Sequence, residues 1–303
     1  MRFFADQLTL GLTLGAIYAL IALGYTLVYG IIELINFAHG DVFTVGGFFG
    51  LTVIGLLGLD HAPAGLLVPG LVLMFAVAMG INGLLGVVIE RVAYRPLRNS
   101  PRLAPLITAV GVSFVLEGLL FLIKGPNDIS YPNLLPAGNL DLLGVSFGKA
   151  NLAIIAIALI LMVALQLFIQ RTRIGRAMRA TAQDRDAARL MGIKINRTIA
   201  ITFFIGSALA AAGGIINGFY LGTIKFDQGF RAGLIAFTAA VFGGIGNVVG
   251  ASVGGFVIGI VYAFVGGYFA GGQQWTDVVI FSILILTLVF RPTGLLGMRV
   301  PEK

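Results

Sequence analysis

The stretch LTLGLTLGAIYALIALGYTLVYGIIELINFAHGD, residues 8–41, joins a long apolar run to a polar end. Residues 8–30 carry no charged side chain, whereas the amide of Asn36, the imidazole of His39 and the carboxylate of Asp41 follow soon after. Residues 42–59 are again uncharged, so the polar group lies between two segments that suit the interior of a membrane. Because an ionisable side chain near the bilayer centre costs roughly 2.5–3.5 kcal/mol, these residues are expected to have a specific role.

The composition predicts an all-α polytopic membrane protein. Of 303 residues, 58% are apolar and 11% are charged, against about 25% charged residues in a soluble domain, and the mean hydropathy is +1.00. The 43 glycines allow helices to approach one another closely in lipid. Cysteine is absent, and His61 is the only histidine besides His39, so the sequence predicts neither a disulfide nor a metal site.

Windows of about 20 apolar residues predict nine membrane spans, within a range of about eight to ten. The whole chain, 1–303, is therefore interpreted as a single transmembrane domain. The predicted spans lie near residues 8–30, 33–58, 71–90, 103–123, 151–170, 198–222, 232–247, 251–270 and 277–291.

Basic residues predict the orientation of these spans. Most of the 20 Lys and Arg lie in three segments, 91–102, 171–197 and 291–303, and short basic loops mark the cytoplasmic side. The N-terminus is then outside if residues 33–58 cross the membrane once. Because the first half of that segment is polar and rich in glycine, two half-helices or a re-entrant piece are an alternative that would reverse the terminus.

Two Gly-rich segments indicate an internal duplication. GDVFTVGGFFG (40–50) interrupts the first half of the chain and GGIGNVVGASVGG (243–255) the second. Similar helices precede them, with Ala, Leu and Gly in matching order at Ala19, Leu20 and Gly24, and at Ala208, Leu209 and Gly213. Interrupted helices in corresponding places of two halves point to a transport path, because unwound backbone in a membrane is satisfied only by protein or by a water-filled cavity.

The longest basic loop, RTRIGRAMRATAQDRDAARLMGIKINR (171–197), predicts short amphipathic helices on the cytoplasmic surface. On composition alone, an interfacial helix with its arginines on anionic head groups explains this pattern. The alternative is a docking element for a soluble partner. The spacing of Asp186, Ala187, Ala188 and Gly192 favours docking, because it resembles the E-A-A-x-x-x-G loop with which ABC importer permeases engage their ATPases, with Asp in place of Glu.

Together with this loop, nearly the whole chain resembles the permeases of branched-chain amino-acid ABC importers, the LivH type. The other similar stretches, in family order, are residues 13–41, IERVAYRPLRNSPRL (89–103), AFTAAVFGGIGNVVGA (236–251) and RPTGLLG (291–297). The resemblance implies a type-II-like importer permease in the bacterial cytoplasmic membrane. It also implies a second, related permease that shares one translocation path, two cytoplasmic ATPase subunits and an extracytoplasmic amino-acid-binding protein.

Two sets of candidate residues follow. Within the cytoplasmic coupling loop, 172–197, the ATPase is expected to engage Arg179, Asp186, Ala187, Ala188 and Gly192. The candidates for the translocation path are Asn36, His39, Gly40, Asp41, Glu117, Thr238 and Asn247. Each path candidate has a structural alternative: a buried side chain bonded inside the protein, a contact between helices, or a backbone role in which asparagine bonds a helix end and glycine permits a turn.

The chain itself is not predicted to be an enzyme. It contains no G-x-x-x-x-G-K-[ST] phosphate cradle, so ATP is expected to be bound and hydrolysed by partner subunits, and no cofactor is predicted here. Two other functions remain open. One is a permease for urea or short amides in the same family, and the other is a self-sufficient secondary transporter or channel whose coupling ion is handled by intramembrane carboxylates such as Asp41 and Glu117.

Overall fold

The computed structural model describes residues 2–98, 100–101, 103–142 and 145–297. Within these ranges the chain folds into α-helices with a few short strands, because backbone groups in a membrane must be satisfied by the chain itself. The helices are α1 Arg2–Ile32, α2 His39–Leu57, α3 Ala64–Ile89, α4 Leu103–Lys124, α5 Lys149–Arg171, α6 Arg173–Gln183, α7 Arg185–Leu190, α8 Ile195–Leu221, α9 Gln228–Gly243, α10 Val248–Tyr268 and α11 Gly272–Phe290.

Eight of the described helices are long and apolar enough to cross a membrane: α1 to α5, α8, α10 and α11. The α3 span continues through a π-helical turn, Glu90–Tyr94. Helix α9 is shorter, and an extended segment precedes it. This architecture confirms the predicted all-α polytopic fold.

The helix boundaries differ from the predicted spans mainly where the helices begin, and α1 and α3 begin six and seven residues before the predicted spans. The second span was predicted from residue 33, but its helix begins only at His39. Helices α9, α10 and α11 each begin three to five residues before the predicted spans. Hydropathy locates apolar residues, whereas capping sets where a helix begins. At α10, for example, the side chain of Asn247 accepts hydrogen bonds from the amides of Val249 and Gly250.

The sequence did not predict the short strands, most of which lie in the outer segment between α4 and α5. Within that segment Tyr131 is buried and anchors the loop to the helices: its hydroxyl donates to the Gly47 carbonyl at 3.2 Å, and its ring packs edge-on against Phe219 at 5.3 Å. The strands form two antiparallel pairs, β1 Ile129–Ser130 with β4 Thr223–Ile224, and β2 Asn139–Leu142 with β3 Val145–Gly148.

Helix contacts establish the direction of α1. Its residues Gly11 and Gly15 lie against Ile260 and Phe256 of α10, so these two helices are antiparallel. The end of α1 contacts the basic loop, where the Arg185 guanidinium donates to the carbonyl of Ile31. The beginning of α1 therefore lies on the side opposite the basic loop, as expected if the second span crosses once.

The two halves of the chain contain the same interruption. The ends of α1 and α8, Ile32 and Leu221, are as far apart in sequence as the starts of α2 and α9, His39 and Gln228. The residues before each start also match, because FAHG (37–40) corresponds to FDQG (226–229). Since α1 and α8 end on opposite sides of the membrane, the repeat is inverted, which supports the predicted internal duplication. The predicted pairing of 40–50 with 243–255 was wrong, because the counterpart of Gly40 is Gly229, whereas 243–255 contains the turn from α9 into α10.

Both interruptions open with a left-handed residue. Glu33 has φ 55° and Gly222 has φ 69°, and Glu33 is the only non-glycine residue with positive φ in the described ranges. The amide of Glu33 donates to the Tyr29 carbonyl at 2.8 Å, and the amide of Gly222 donates to the Gly218 carbonyl at 2.9 Å. Each helix therefore ends on a left-handed cap, after which the chain turns back into the membrane. The turn predicted at Gly40 is made at Glu33 instead.

Helices α2 and α9 begin inside the membrane, where their first turns touch. A Cβ atom at Gly40 would overlap the Gly229 carbonyl, and one at Gly229 would overlap the Gly40 carbonyl. The neighbouring His39 ring lies against Gly24 of α1, which at 1.5 Å per residue is about 12 Å before the end of that helix. The glycines are therefore required by the close approach of two helix starts at membrane depth.

We expect Gly40→Ala to destabilise the fold by about 1–3 kcal/mol, because the added methyl group forces the two helix starts apart. Gly80→Ala is the matched control, since a Cβ at Gly80 of α3 meets open space. Thermal unfolding of both variants in detergent, followed by circular dichroism, measures the difference. An unchanged midpoint in Gly40→Ala would show that the contact can relax at no cost.

Candidate functional site

His39 begins α2 in a buried position between α1 and its neighbours. Its side chain is 1% exposed, and the centres of the His39 and Tyr25 rings are 4.7 Å apart in an edge-on arrangement. Its Nε2 atom has no hydrogen-bond partner in the described part of the chain. The imidazole is therefore held by packing and by its approach to the backbone of Ile21 in α1.

Asp41 lies two residues further along α2 and is fully buried. The hydroxyl of Ser113 on α4 donates to its Oδ2, while Oδ1 has no partner among the described residues. Glu117, one turn beyond Ser113 on α4, is half-buried and close enough to act electrostatically on Asp41. The structure thus brings two of the predicted path residues, Asp41 and Glu117, together across the α2–α4 contact.

The other path candidates lie in three separate places. Asn36, in the extended segment before α2, accepts a hydrogen bond from the Tyr94 hydroxyl at 2.9 Å. Thr238 is fully buried in α9 and donates to the Leu234 carbonyl of its own helix at 2.9 Å. Asn247 caps α10 at the opposite end of α9 from Gln228, and its amide group donates to the Leu296 carbonyl at 2.8 Å. Asn247 is therefore remote from the start of α2.

The second helix start, at Gln228, was missed by the sequence reasoning. Gln228 Nε2 is buried without a partner in the described ranges, and the neighbouring Gly229 contacts Gly40. The repeated F-x-x-G pattern was the available signal. It was obscured because the charges of Lys225, Asp227 and Arg231 lower the hydropathy of this segment.

An ion pair between α9 and α11 was also missed. The Arg231 guanidinium donates to both carboxylate oxygens of Asp277 at 2.9 Å, and to the Tyr262 hydroxyl at 3.3 Å. The side chains of Arg231 and Asp277 are 54% and 36% exposed. Asp277 lies five residues inside the α11 span, so this surface carries exposed charge at membrane depth. No sequence pattern joins residues so far apart along the chain.

The basic loop contains the two short helices α6 and α7, which confirms the predicted amphipathic helices. The hydroxyl of Thr172 caps α6 by accepting from the Gly175 amide, and Asp184 caps α7 by accepting from the amides of Asp186 and Ala187. The Arg179 guanidinium donates to the Ile169 carbonyl at the end of α5. Arg179, one of the predicted coupling residues, therefore joins α6 to the membrane helix α5.

The end of α7 projects from the protein. The side chain of Asp186 is 91% exposed, and Leu190 and Met191 are 89% and 82% exposed, whereas Ala188 is buried. Gly192 has φ 82°, which allows the chain to turn after these residues. Exposed apolar side chains that lie together mark a contact with another protein or with a membrane.

Arg185, the first residue of α7, connects this tip to the break after α1. Its Nη2 and Nε atoms donate to the Ile31 carbonyl at 2.7 and 3.2 Å. Ile31 is followed by the left-handed Glu33 and by the extended segment that leads to His39. Arg185 therefore links α7 to the segment that leads from α1 into α2.

A buried ion cluster fixes the same side of α3. Glu90 is fully buried and accepts from both Arg95 and Arg98, while Arg98 also donates to Asn196 of α8 at 2.6 Å. Burial lowers the pKa of Arg98, and the Glu90 carboxylate opposes that shift. The cluster joins the end of α3 to the start of α8.

Two groups on the outer side also have shifted pKa values. A hydrogen bond with Asp227 raises the pKa of Lys225, and burial raises the pKa of Tyr131. In the described ranges no three His, Asp or Glu side chains gather as a metal site. The outer segments thus carry ordinary charge pairs and an anchoring tyrosine.

The sequence matches known transport proteins over almost its full length. The family described as "Branched-chain amino acid transport system / permease component" matches residues 7–288. The chain is 45% identical to the branched-chain amino acid permease BraD of Pseudomonas aeruginosa, in a match that covers 99% of this chain and 98% of BraD. It is 43% identical to LivH of Escherichia coli, with the same coverage.

A more distant relative is the fructose import permease FruG of Bifidobacterium longum. It is 28% identical over 81% of this chain and 72% of its own length. The chain is therefore similar in sequence to permeases whose named substrates differ in chemistry. On the match over residues 7–288 and the identity to BraD and LivH, the chain belongs to the family of branched-chain amino acid transport system permease components.

Proposed function

We propose that this chain forms half of the translocation path of an ABC importer for branched-chain or other hydrophobic amino acids. The observation that carries the proposal is the identity of 45% and 43%, over nearly the whole chain, to two high-affinity branched-chain amino acid permeases. Its partners would be a second, related permease, two cytoplasmic ATPase subunits and an extracytoplasmic amino-acid-binding protein. The location would be the bacterial cytoplasmic membrane, and ATP would be hydrolysed only by the ATPase subunits.

Uptake by the complete importer in proteoliposomes tests this function. We expect leucine uptake to require ATP and the binding protein, to stop when the ATPase subunits are inactivated, and to continue in the presence of an uncoupler. Excess urea should leave uptake unchanged. Uptake that persists with inactive ATPases and collapses with an uncoupler would instead identify a secondary transporter, and competition by urea would identify an amide permease.

The exposed end of α7 supports its proposed role in coupling. Leu190 and Met191 offer an apolar knob that a groove on an ATPase can bury, and the exposed Asp186 lies beside them. An interfacial helix would instead turn its apolar side chains toward the membrane. We infer that the knob docks to a soluble subunit.

We expect Leu190→Ser with Met191→Ser to reduce co-purification of the ATPase subunits at least tenfold. Interface anchors of this kind cost about 2 kcal/mol or more when truncated, and about 1.4 kcal/mol corresponds to a factor of ten. Ile174→Ser is the control, because Ile174 of α6 is also exposed but lies away from the knob. Pull-down from mild detergent measures the effect, and equal recovery from both variants would contradict docking through α7.

The hydrogen bonds of Arg185 support a route from the ATPase to the membrane. They join α7 to the last turn of α1, where unpaired carbonyls attract a cation. From there the chain continues to Asn36, which is held by Tyr94, and then to His39. We propose that movement of α7 upon ATP binding shifts this segment and so alternates the access of the path.

Replacing Arg185 by Ala should uncouple the importer while leaving the ATPases attached. We expect the number of ATP molecules hydrolysed per leucine carried to rise several-fold, because ATP-driven movement of α7 no longer reaches α1. Arg176→Ala removes an exposed arginine of α6 that has no partner in the described ranges and serves as the control. The two rates are measured together in proteoliposomes. Tight coupling in Arg185→Ala would exclude this route.

The Arg231–Asp277 pair supports a translocation path beside α9 and α11. Charged side chains at this depth are costly when they face lipid, so the surface they share is better suited to water or to the second permease. Gly229, two residues before Arg231, contacts Gly40, which connects this surface to the polar stretch of α2. Asn36, His39 and Asp41 are themselves buried, so their proposed contact with substrate requires α2 and its neighbours to separate.

Arg231→Asp should abolish leucine uptake, because two carboxylates would then face each other at membrane depth. The exchanged pair Arg231→Asp with Asp277→Arg restores opposite charges and should recover part of the activity. Uptake is measured at equal amounts of assembled importer. Full activity of Arg231→Asp alone would show that this pair of residues lies away from the path.

A further inference from the structure

A groove lies between the cytoplasmic ends of α3 and α8. It has a volume of about 350 Å³ and is lined at one end by Arg91, Arg95 and Arg197. Its other end is apolar, with Val87, Ile201 and Phe204. The groove includes Arg197 at the end of the coupling loop, but it contains none of the residues proposed for docking to the ATPase or for the translocation path.

The basic end of the groove carries uncompensated charge. Arg95 is bound to the buried Glu90, through Nη2 at 3.2 Å and Nε at 3.3 Å, so its guanidinium is held in place. Arg91 and Arg197 are exposed, and their side chains make no hydrogen bond or ion pair within the described part of the chain. Because Arg98 already binds Glu90 as well, Glu90 is not left to neutralise this pair.

The apolar end of the groove lies deeper in the membrane. Val87 precedes Arg91 by one turn, and Phe204 follows Arg197 by two turns, which places these side chains about 6 and 10 Å further in. The adjacent side chains Val88 and Val92 are 54% and 73% exposed, so the groove opens on an apolar outer surface of the chain. A ligand that fits must combine an anionic head with an apolar tail.

We propose that this groove binds an anionic phospholipid of the cytoplasmic leaflet, with its phosphate between Arg91 and Arg197 and an acyl chain against Val87 and Phe204. Basic pockets between membrane helices on this side suit such head groups. A zwitterionic lipid fits less well, because its ammonium group would meet the arginines. Bound lipid would bridge α3 and α8 at the end where Arg98 already joins them.

Native mass spectrometry of the assembled importer, with added phosphatidylglycerol or phosphatidylcholine, tests the site. Arg91→Gln with Arg197→Gln should weaken phosphatidylglycerol binding roughly 30-fold, which corresponds to about 1 kcal/mol for each basic residue. Arg171→Gln with Arg291→Gln removes the same charge from the ends of α5 and α11 and should leave binding unchanged. Arg91→Lys with Arg197→Lys keeps the charge, should retain most of the lipid, and provides a second test if the Gln variant fails to assemble.

Several results would overturn the proposal. Equal binding of phosphatidylcholine, or an equal loss in the control variant, would mean that the groove does not select an anionic lipid. Displacement of the lipid by millimolar inorganic phosphate would identify a site for a free anion. Lipid that binds the two permeases alone and leaves when the ATPases assemble would identify a contact with an acidic segment of the ATPase. The lipid site is supported if phosphatidylglycerol stays bound in the control variant, with added phosphate and after the ATPases assemble, and is lost only in the Arg91→Gln with Arg197→Gln variant.

Discussion

The contact between Gly40 and Gly229 is the constraint on which the other features depend. Two helices begin at membrane depth, and each presents unpaired amides at its first turn. Only residues without a side chain let these turns meet, since a Cβ on either glycine would overlap the carbonyl of the other. The two positive helix ends therefore converge in the interior, where the partnerless atoms of His39 and Gln228 are also found. The extended segments before both helices follow from this arrangement.

Polar side chains at the cytoplasmic end serve a different purpose, because they connect elements instead of filling the interior. Arg185 joins α7 to α1, Asn36 joins the first break to Tyr94, and Arg98 joins α3 to α8. Each bond reaches between elements that are far apart in sequence. The side of the protein that faces the proposed ATPases is thus a linked frame, whereas the outer side is held mainly by short strands and by Tyr131.

Local patterns predicted much of this fold, and contacts between distant residues account for what was missed. The polar group at 36–41 between apolar segments predicted a break near α2, and the basic loop predicted α6 and α7. The start of α9 was placed too late, because Lys225, Asp227 and Arg231 lower the local hydropathy although Gln228 already begins the helix. The pairing of Arg231 with Asp277 and the approach of Ser113 to Asp41 depend on tertiary packing, which no spacing encodes. Asn247 stays a predicted path residue, although the role that the structure shows for it is to cap α10.

The inverted repeat has a consequence for how the chain acquires its sidedness. Glu33 and Gly222 make the same left-handed turn on opposite membrane surfaces, and the helices that follow them make equivalent contacts. The packed interior therefore presents the same kind of turn and helix start toward both surfaces. Insertion by the translocation machinery must take its direction from the connecting loops, above all from the eight basic residues of 171–197. Folding and orientation are thus encoded in separate parts of one sequence.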